Sequence, residues 1–251
     1  DRQIMLPENI DAVFIALHGA FGEDGGAQAM LDSMGVPYTG SGAVGSHNAM
    51  DKILTKRAFE AHGIPSPRYE VLSVGDARTL PLPVVIKPAA QGSSIGVHRV
   101  CSEEEWISAT EDAFQFGDTL LVETLVSGRE LTVGVVERTP LPVIEIVAPD
   151  GWYGYDAKYT QGSTRYCVPA ELDDRIAREA QQVALQTFDA LACRGFGRVD
   201  FLLSDSGKLV VLELNSIPGF TETSLLPKAA AAAGMTFSEL CDRIMRTATF
   251  G

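Results

Sequence analysis

The sequence predicts an α/β fold, and its 251 residues could form one large domain or two to three small ones. Three observations support the fold class. The short apolar run Asp11–Leu17 ends in the glycine-rich stretch His18–Gly26, which is typical of a strand followed by a ligand-binding loop. Two strand-like segments, Gly197–Asp200 and Leu212–Asn215, are close enough in sequence to form a hairpin. The segment Leu172–Cys193 has the apolar periodicity of an amphipathic helix.

Periodicity and turn residues predict the remaining elements in chain order. A helix is expected over Ala27–Met34, and a single helix over Asn48–His62 that ends at the prolines of Ile64–Pro67. An apolar strand, Leu82–Lys87, leads into the small polar loop Pro88–Gly96. The other predicted elements are strands at Thr119–Glu123, Glu130–Val136 and Leu141–Val147, the last pairing with the one before it, a turn at Asp205–Lys208, and helices at Leu226–Ala233 and Phe237–Met245.

Composition narrows the class of protein. The net charge of −13 argues against nucleic acid and anionic membranes as partners. No apolar run approaches the roughly 18–20 residues that a membrane helix needs, and no signal peptide is expected at the start. The four cysteines, at 101, 167, 193 and 241, show neither paired nor metal-type spacing. Free thiols in a reducing cytoplasm are therefore expected.

The predicted hairpin carries the strongest chemical signal. Side chains alternate along a strand, so Arg198 shares a face with Asp200, and Glu213 shares a face with Asn215. If the two faces coincide, three oxygen ligands and a guanidinium meet in one place. Such a set, without His or Cys, suits a hard cation such as Mg²⁺. The alternative is a hairpin with a solvated polar face, which is common in antiparallel sheets.

Two further segments suggest phosphate chemistry. The loop Pro88–Gly96 does not match the Walker pattern, but its backbone N–H groups and serines can still cover phosphates. An ordinary hairpin loop is the alternative, and a lysine just before the loop makes it less attractive. The segment Gly151–Val168 is long, aromatic and irregular. Long irregular segments in compact domains are usually lids or disordered, and its aromatic content favours a lid.

In ordered succession, these segments resemble the D-alanine–D-alanine ligase family of the ATP-grasp superfamily. The resemblance covers nearly the whole sequence and is far more specific than any one short motif. The matching motifs are His18–Gly25 (HGxxGEDG), Tyr38–Gly42 (YTGSG), Met50–Lys56 (MDKxxTK), Lys87–Val97 (KPxxxGSSxGV), Gly128–Val135 (GRELTVGV), Ala157–Tyr159 (AKY), Gly197–Phe201 (GRVDF) and Leu212–Pro227 (LELNSIPGFTETSLLP).

The resemblance implies ATP-grasp architecture, with two α+β subdomains gripping ATP behind a partial N-terminal α/β domain. The implied divisions are a partial substrate domain at 1–40, a central subdomain at 41–123 and a C-terminal subdomain at 124–251 with its lid at 151–168. The family begins with a strand and a Gly-rich loop whose glutamate holds the ammonium of the first D-alanine. No such segment precedes His18 here. A few tens of residues are therefore expected to be missing, unless the enzyme is divergent.

The resemblance also implies individual roles. The residues implied to contact ATP are Lys52, Lys87, Ser93, Ser94 and Lys158 at the phosphates, and Glu123, Thr124, Val126 and Glu130 at adenine and ribose. The implied ligands of two Mg²⁺ ions are Asp200, Glu213 and Asn215. The residues implied to bind or act on the amino acids are His18, Ser93, Tyr159, Arg198, Gly219, Ser224 and Leu225. Thr124 replaces an expected charged residue, so adenine contacts there are expected from the backbone.

The implied reaction joins two D-alanine molecules through an acyl phosphate, for the synthesis of peptidoglycan precursors. Mn²⁺ is expected to substitute for Mg²⁺, a K⁺ requirement stays open, and a cytoplasmic homodimer with small-molecule substrates is expected. Three alternatives remain. One is a D-alanine–D-lactate or D-alanine–D-serine ligase, although Tyr159 favours D-alanine as second substrate. The others are another carboxylate–amine ligase and a catalytically incomplete nucleotide-binding fragment.

Overall fold

The computed structural model describes residues 5–148 and 164–251, which form two antiparallel β-sheets with helices packed on them. The helices are α1 (Gly26–Met34), α2 (Ala43–Met50), α3 (Lys52–His62), α4 (Glu103–Ala113), α5 (Asp174–Ala190), α6 (Leu225–Ala232) and α7 (Phe237–Arg246), with a short 3₁₀ turn at Phe114–Phe116. The strands are β1 (Tyr69–Ser73), β2 (Val84–Pro88), β3 (His98–Val100), β4 (Thr119–Thr124), β5 (Gly128–Val136), β6 (Thr139–Pro140), β7 (Ile144–Val147), β8 (Arg165–Cys167), β9 (Phe196–Ser204) and β10 (Leu209–Asn215).

The strand predicted at Asp11–Leu17 is wrong. Val13 forms one isolated bridge, with Tyr38, which is itself bridged to Thr249. A single bridge is too little pairing to define a strand. The apolar character that suggested a strand has another use, because Ile15 is buried in a small cluster with Leu31 and Tyr38.

The single helix predicted at Asn48–His62 is two helices, because Asp51 interrupts it. The Asp51 backbone is extended, and its Oδ1 accepts hydrogen bonds from the N–H groups of Ile53 and Leu54, at 2.8 and 3.0 Å. Aspartate is a favoured N-cap because it satisfies N–H groups that have no partner within the helix. The new helix, α3, therefore begins at Lys52, which places this lysine at the loop after β2.

The smaller sheet has the order β1-β4-β2-β3. Its core packs under α4, a helix that the sequence analysis missed together with β1 and β3. Ser102 caps α4 by accepting a hydrogen bond of 3.2 Å from the N–H of Glu105, and three glutamates occupy its first turn. A serine followed by acidic residues is a recognisable helix start, so this signal was present in the sequence.

The larger sheet has the order β10-β9-β5-β7-β8, and β6 pairs with β5. Val133 and Val135 on β5 pack in the same core cluster as α5, whereas Gly134 lies against α6. A Cβ atom at position 134 would be 2.6 Å from a methyl group of Leu226, so only glycine allows this approach of α6. The first turn of α6, which is held against the sheet in this way, lies beside a large cavity.

The predicted hairpin is confirmed, because β9 and β10 pair around the turn at Asp205–Lys208. The predicted pairing of β7 with β5 is also found. The predicted lid falls mostly on residues outside the described ranges, and its last part forms β8, which pairs with β7. The domain divisions at 40 and 123 stay predictions. In the described parts of the chain, no helix combines the length and apolar character needed to cross a membrane.

Candidate active site

The polar faces of β9 and β10 coincide. In the strand register Asp200 lies opposite Glu213, and Arg198 lies opposite Asn215. An irregularity in the pairing between Val211 and Glu213 precedes this run. Because opposite residues of an antiparallel pair project to the same face, all four polar side chains share one surface, as predicted.

Asp200 is the centre of this cluster. The Arg198 guanidinium donates to both of its oxygens, from Nε to Oδ1 and from Nη2 to Oδ2, each at 2.8 Å. Asn215 donates its amide nitrogen to Oδ2 at 2.9 Å, and the Thr132 hydroxyl donates to Oδ1 at 2.6 Å. Only 5% of Asp200 is exposed. These donors orient the carboxylate and stabilise its charge. Thr132, on the neighbouring β5, was missed by the sequence analysis.

The donor set is suited to a hard cation. Asp200 and Glu213 offer carboxylate oxygens. Asn215 donates through its amide nitrogen, so its amide oxygen, on the other side of the group, is offered as a further ligand. Across residues 5–148 and 164–251, no group of three or more His, Cys, Asp or Glu side chains is arranged to hold a metal. A site with two carboxylates leaves coordination positions for phosphate oxygens and water, which is the usual arrangement for Mg²⁺.

A buried ionic group involves the two inner strands of the smaller sheet, β4 and β2, beside the smaller of two cavities. Glu123 on β4 forms ion pairs with Lys56 through one oxygen and with Lys87 through the other. Burial raises the pKa of Glu123, but the two ammonium groups outweigh this and bring it from 4.5 to about 2. Burial lowers the pKa of Lys56, whereas the carboxylates around Lys87 outweigh its burial and raise its pKa.

This carboxylate should make the stability of the protein depend on pH. Because the folded pKa of Glu123 is depressed, its contribution is complete above its ordinary pKa of 4.5 and is lost as the pH falls towards 2. Denaturant unfolding at several values between about pH 5 and pH 3 should show a smaller decline for Glu123→Gln than for the parent. The exposed Glu222→Gln is the matched control and should follow the parent. Parallel curves for all three proteins would contradict the assignment.

The serine loop after β2 has an unusual backbone. Ser93 and Ser94 both have positive φ, 54° and 58°, a conformation that costs energy for residues other than glycine. Lys52, placed by the Asp51 cap, donates its ammonium to the carbonyl oxygen of Gln91. Strained residues at a cavity wall are a frequent feature of ligand-binding loops.

The serine loop is expected to become more ordered when nucleotide binds. Amide hydrogens of residues 91–96 should exchange quickly in the unliganded protein and gain protection with a non-hydrolysable ATP analogue and Mg²⁺, because phosphates supply acceptors for its N–H groups. The exposed β9–β10 turn at 205–207 is an internal control that should exchange equally with and without ligand. Unchanged exchange at 91–96 would mean that the phosphates bind elsewhere.

Most of the predicted site residues line two cavities. The larger, of about 750 Å³, is lined by residues from both sheets and the loops between them; the predicted residues among them are His18, Lys52, Lys87, Ser93, Ser94, Glu130, Arg198, Asp200, Glu213, Asn215, Gly219, Ser224 and Leu225. The smaller, of about 170 Å³, includes Lys87, Glu123, Thr124, Val126 and Glu130. Lys87 and Glu130 line both cavities. Lys158 and Tyr159 lie outside the described residues.

The contact predicted between Glu123 and adenine needs refinement. The residue lines the smaller cavity, but its carboxylate oxygens are directed to Lys56 and Lys87. We therefore expect an adenine contact by Glu123 to come from its backbone, as for Thr124. The contact itself stays a prediction.

Two loops complete the larger cavity. His18 lies 3.7 Å from Glu23, and a hydrogen bond to this carboxylate raises the pKa of the imidazole. Glu23 also accepts a hydrogen bond of 2.5 Å from the N–H of Gly19, a role that the sequence analysis did not assign. On the opposite loop, a Cβ at Gly219 would be 3.2 Å from the Ser224 hydroxyl. Glycine thus keeps this loop close to Ser224, the residue that precedes α6.

Family profiles and curated proteins similar to this chain point to one family. The family profile described as D-ala D-ala ligase N-terminus matches residues 2–41, and the profile described as D-ala D-ala ligase C-terminus matches residues 58–246. The D-alanine–D-alanine ligase of Syntrophotalea carbinolica is 47% identical over 243 residues, which are 96% of this chain and 79% of that protein. The ligase of Methylacidiphilum infernorum is 45% identical, with the same coverage of both chains.

Solved structures with the same fold include two ligases of this kind. The D-alanine–D-alanine ligase from Bacillus anthracis complexed with ATP has a TM-score of 0.83 and 33% identity, covering 95% of this chain and 79% of its own. The VanG D-Ala:D-Ser ligase from Enterococcus faecalis has a TM-score of 0.86 and 32% identity, covering 94% and 72%. Profiles, relatives and fold therefore agree along almost the whole sequence, and the chain belongs to the D-alanine–D-alanine ligase family, with an ATP-grasp fold.

Proposed function

We propose that this protein joins two D-alanine molecules into D-alanyl-D-alanine in an ATP-dependent reaction that passes through an acyl phosphate. The observation that carries the proposal is the larger cavity, where Lys87 and the serine loop face Arg198 and Asp200. Cations on one side and a carboxylate cluster on the other are what a reaction between a carboxylate and a polyphosphate requires. The product would serve as a precursor of peptidoglycan.

In the first step, the carboxylate of one D-alanine attacks the γ-phosphorus of ATP, and ADP leaves. Both reactants are anions, so catalysis depends on positioning and on neutralising charge. Lys52 and Lys87 line the cavity from the side of the smaller sheet, and Arg198 lines it from the larger sheet. Lys158, outside the described residues, is proposed to reach the γ-phosphate.

Asp200, Glu213 and Asn215 are proposed to hold two Mg²⁺ ions, or Mn²⁺ in their place. When bound, the metal would offset the negative charge of the phosphates. Arg198 at present pairs with both oxygens of Asp200. This pairing would keep the Arg198 guanidinium beside the reacting carboxyl group of the first D-alanine.

In the second step, the amine of the second D-alanine attacks the acyl phosphate and displaces phosphate. Negative charge develops on the carbonyl oxygen, and Arg198 together with the Gly219 backbone N–H is proposed to stabilise it. The carboxylate of this second D-alanine is proposed to bind at Ser224 and Leu225. These residues lie at the N-terminus of α6, where unpaired N–H groups favour an anion.

Product identification tests the proposal. The protein is incubated with ATP, Mg²⁺ and D-alanine alone, then with D-lactate or D-serine added, and products are identified by mass spectrometry. We expect D-alanyl-D-alanine as the main product in every arm. A dominant depsipeptide or D-alanyl-D-serine would favour one of the alternative ligases, the second being the activity named for the VanG structure. Nucleotide binding without any product would indicate an incomplete catalytic site.

Assembly and location rest on the family resemblance. A homodimer is proposed, and light scattering coupled to size-exclusion chromatography would measure it directly. A cytoplasmic location follows from the substrates, ATP and free D-alanine. Stimulation by K⁺ is an open point that titration of the ligase rate with KCl, against NaCl at equal ionic strength, would decide.

A further inference from the structure

Lys56 is a buried lysine to which the proposed reaction gives no role. It lies one turn after Lys52 on α3, and 1% of its side chain is exposed. It lines neither cavity. Its partner is Glu123, whose side chain is 2% exposed. Burying an ammonium group that no ligand can reach costs free energy unless neighbouring groups interact favourably with its charge.

The strand register explains how one carboxylate reaches two lysines. Glu123 on β4 lies opposite Val85 on β2, and Lys87 is two residues further along β2 on the same face. This diagonal places the Lys87 ammonium at one oxygen of Glu123, while Lys56 approaches the other oxygen from α3. Lys87 keeps 12% exposure and lines both cavities.

The charges of these three groups do not cancel. Two ammonium groups share one carboxylate, which leaves one net positive charge, and only Lys87 carries it to the cavities. Glu213 also attracts both lysines, but its charge is assigned to the proposed metal site. Without Lys56, Glu123 and Lys87 would form a neutral buried pair, and the carboxylate would retain the Lys87 ammonium against the pull of a phosphate.

We propose that Lys56 is a positioning residue for the nucleotide phosphates: by occupying one oxygen of Glu123, it leaves Lys87 oriented towards the cavities with its charge available to ATP. This inference rests on the proposed function, because it takes ATP as the occupant of the two cavities. A role in stability alone is the competing explanation, since the same ion pair also joins α3 to β4.

Nucleotide affinity separates the two explanations. Calorimetry measures the dissociation constant for ATP with Mg²⁺ in the absence of D-alanine, so the result does not depend on ligase activity. Lys56→Met should weaken ATP binding by about tenfold or more, the size expected for one charge acting in a partly buried site. The KM for D-alanine should change by less than about twofold, since neither amino acid is proposed to contact Lys87. Lys208→Met, in the exposed β9–β10 turn, is the matched control and should bind ATP as the parent does.

The double variant Lys56→Met/Glu123→Gln is the decisive comparison. It removes the carboxylate that would otherwise hold Lys87, so ATP affinity should return to within about threefold of the parent. If Lys56→Met alone does not fold but the double variant does, the double variant should still bind ATP to within about threefold of the parent. A single variant with parental affinity would overturn the proposal. So would a double variant that binds ATP no better than a folded single variant, or that does not fold, because each result assigns Lys56 to stability alone.

Discussion

Asp200→Asn is expected to reduce kcat by about 10²–10³-fold or more, even at saturating Mg²⁺. The substitution preserves the shape of a side chain that is almost fully buried and contacts Arg198, Asn215 and Thr132. It removes the negative charge that the proposed metal site and the Arg198 guanidinium both need. Measurement of ADP release with D-alanine over a range of Mg²⁺ concentrations gives the effect on kcat.

Two further variants test whether the loss of activity comes from the proposed metal site. Asp205→Asn makes the same chemical change on the exposed turn between β9 and β10 and should retain parental activity. Glu213→Gln, opposite Asp200 in the strand register, should lose activity to a similar degree. Near-normal turnover in both Asp200→Asn and Glu213→Gln at saturating Mg²⁺ would remove these residues from the metal site.

Arg198→Lys is expected to lower kcat by on the order of 10²-fold, although the positive charge is kept. The guanidinium contacts both oxygens of Asp200 through two different nitrogens. A lysine ammonium cannot reproduce this planar fork, so the charge would no longer be fixed beside the oxygen that becomes negative during the second step. Single-turnover measurement of dipeptide formation isolates the chemical steps from product release.

The structure offers a matched control for this substitution. Arg138 also forms a two-nitrogen pair, with Asp189 at 2.6 and 3.0 Å, but both side chains are largely exposed. Exposed pairs contribute little to stability. Arg138→Lys should therefore leave both activity and the unfolding temperature close to those of the parent. If Arg198→Lys loses less than about threefold in kcat, Arg198 has a structural role only.

The parts of the fold that the sequence predicted well have local signals. The β9–β10 hairpin follows from alternation around a turn, and α5 follows from its amphipathic period. The segment Asp11–Leu17 failed because apolar character does not state whether a strand neighbour is available. The division of the helix at Asp51 was missed, although the aspartate that caps the second helix is visible in the sequence.

The residues of the candidate site likewise fall into those with a local signal in the sequence and those without one. Arg198, Asp200, Glu213 and Asn215 could be grouped because two adjacent strands carry them. The roles of Thr132 and Lys56 could not be found in this way, since each depends on contacts between residues far apart in sequence, 68 positions for Thr132 and Asp200. Lys56 lies within a recognised motif, but only the tertiary structure shows that its charge is directed to Glu123.

Residues 125–127 connect the last strand of the smaller sheet to the first strand of the larger one, and both cavities take lining residues from both sheets. A ligand that touches both sheets binds with an affinity that includes the free energy of bringing them together. By thermodynamic linkage, a change that favours separation of the sheets reduces the binding free energy of the ligand by the same amount. This holds even for a residue that never touches the ligand. Residues 125–127 also line the smaller cavity, so a change in this connection acts on nucleotide affinity in two ways at once, through the separation of the sheets and through the lining of the cavity itself.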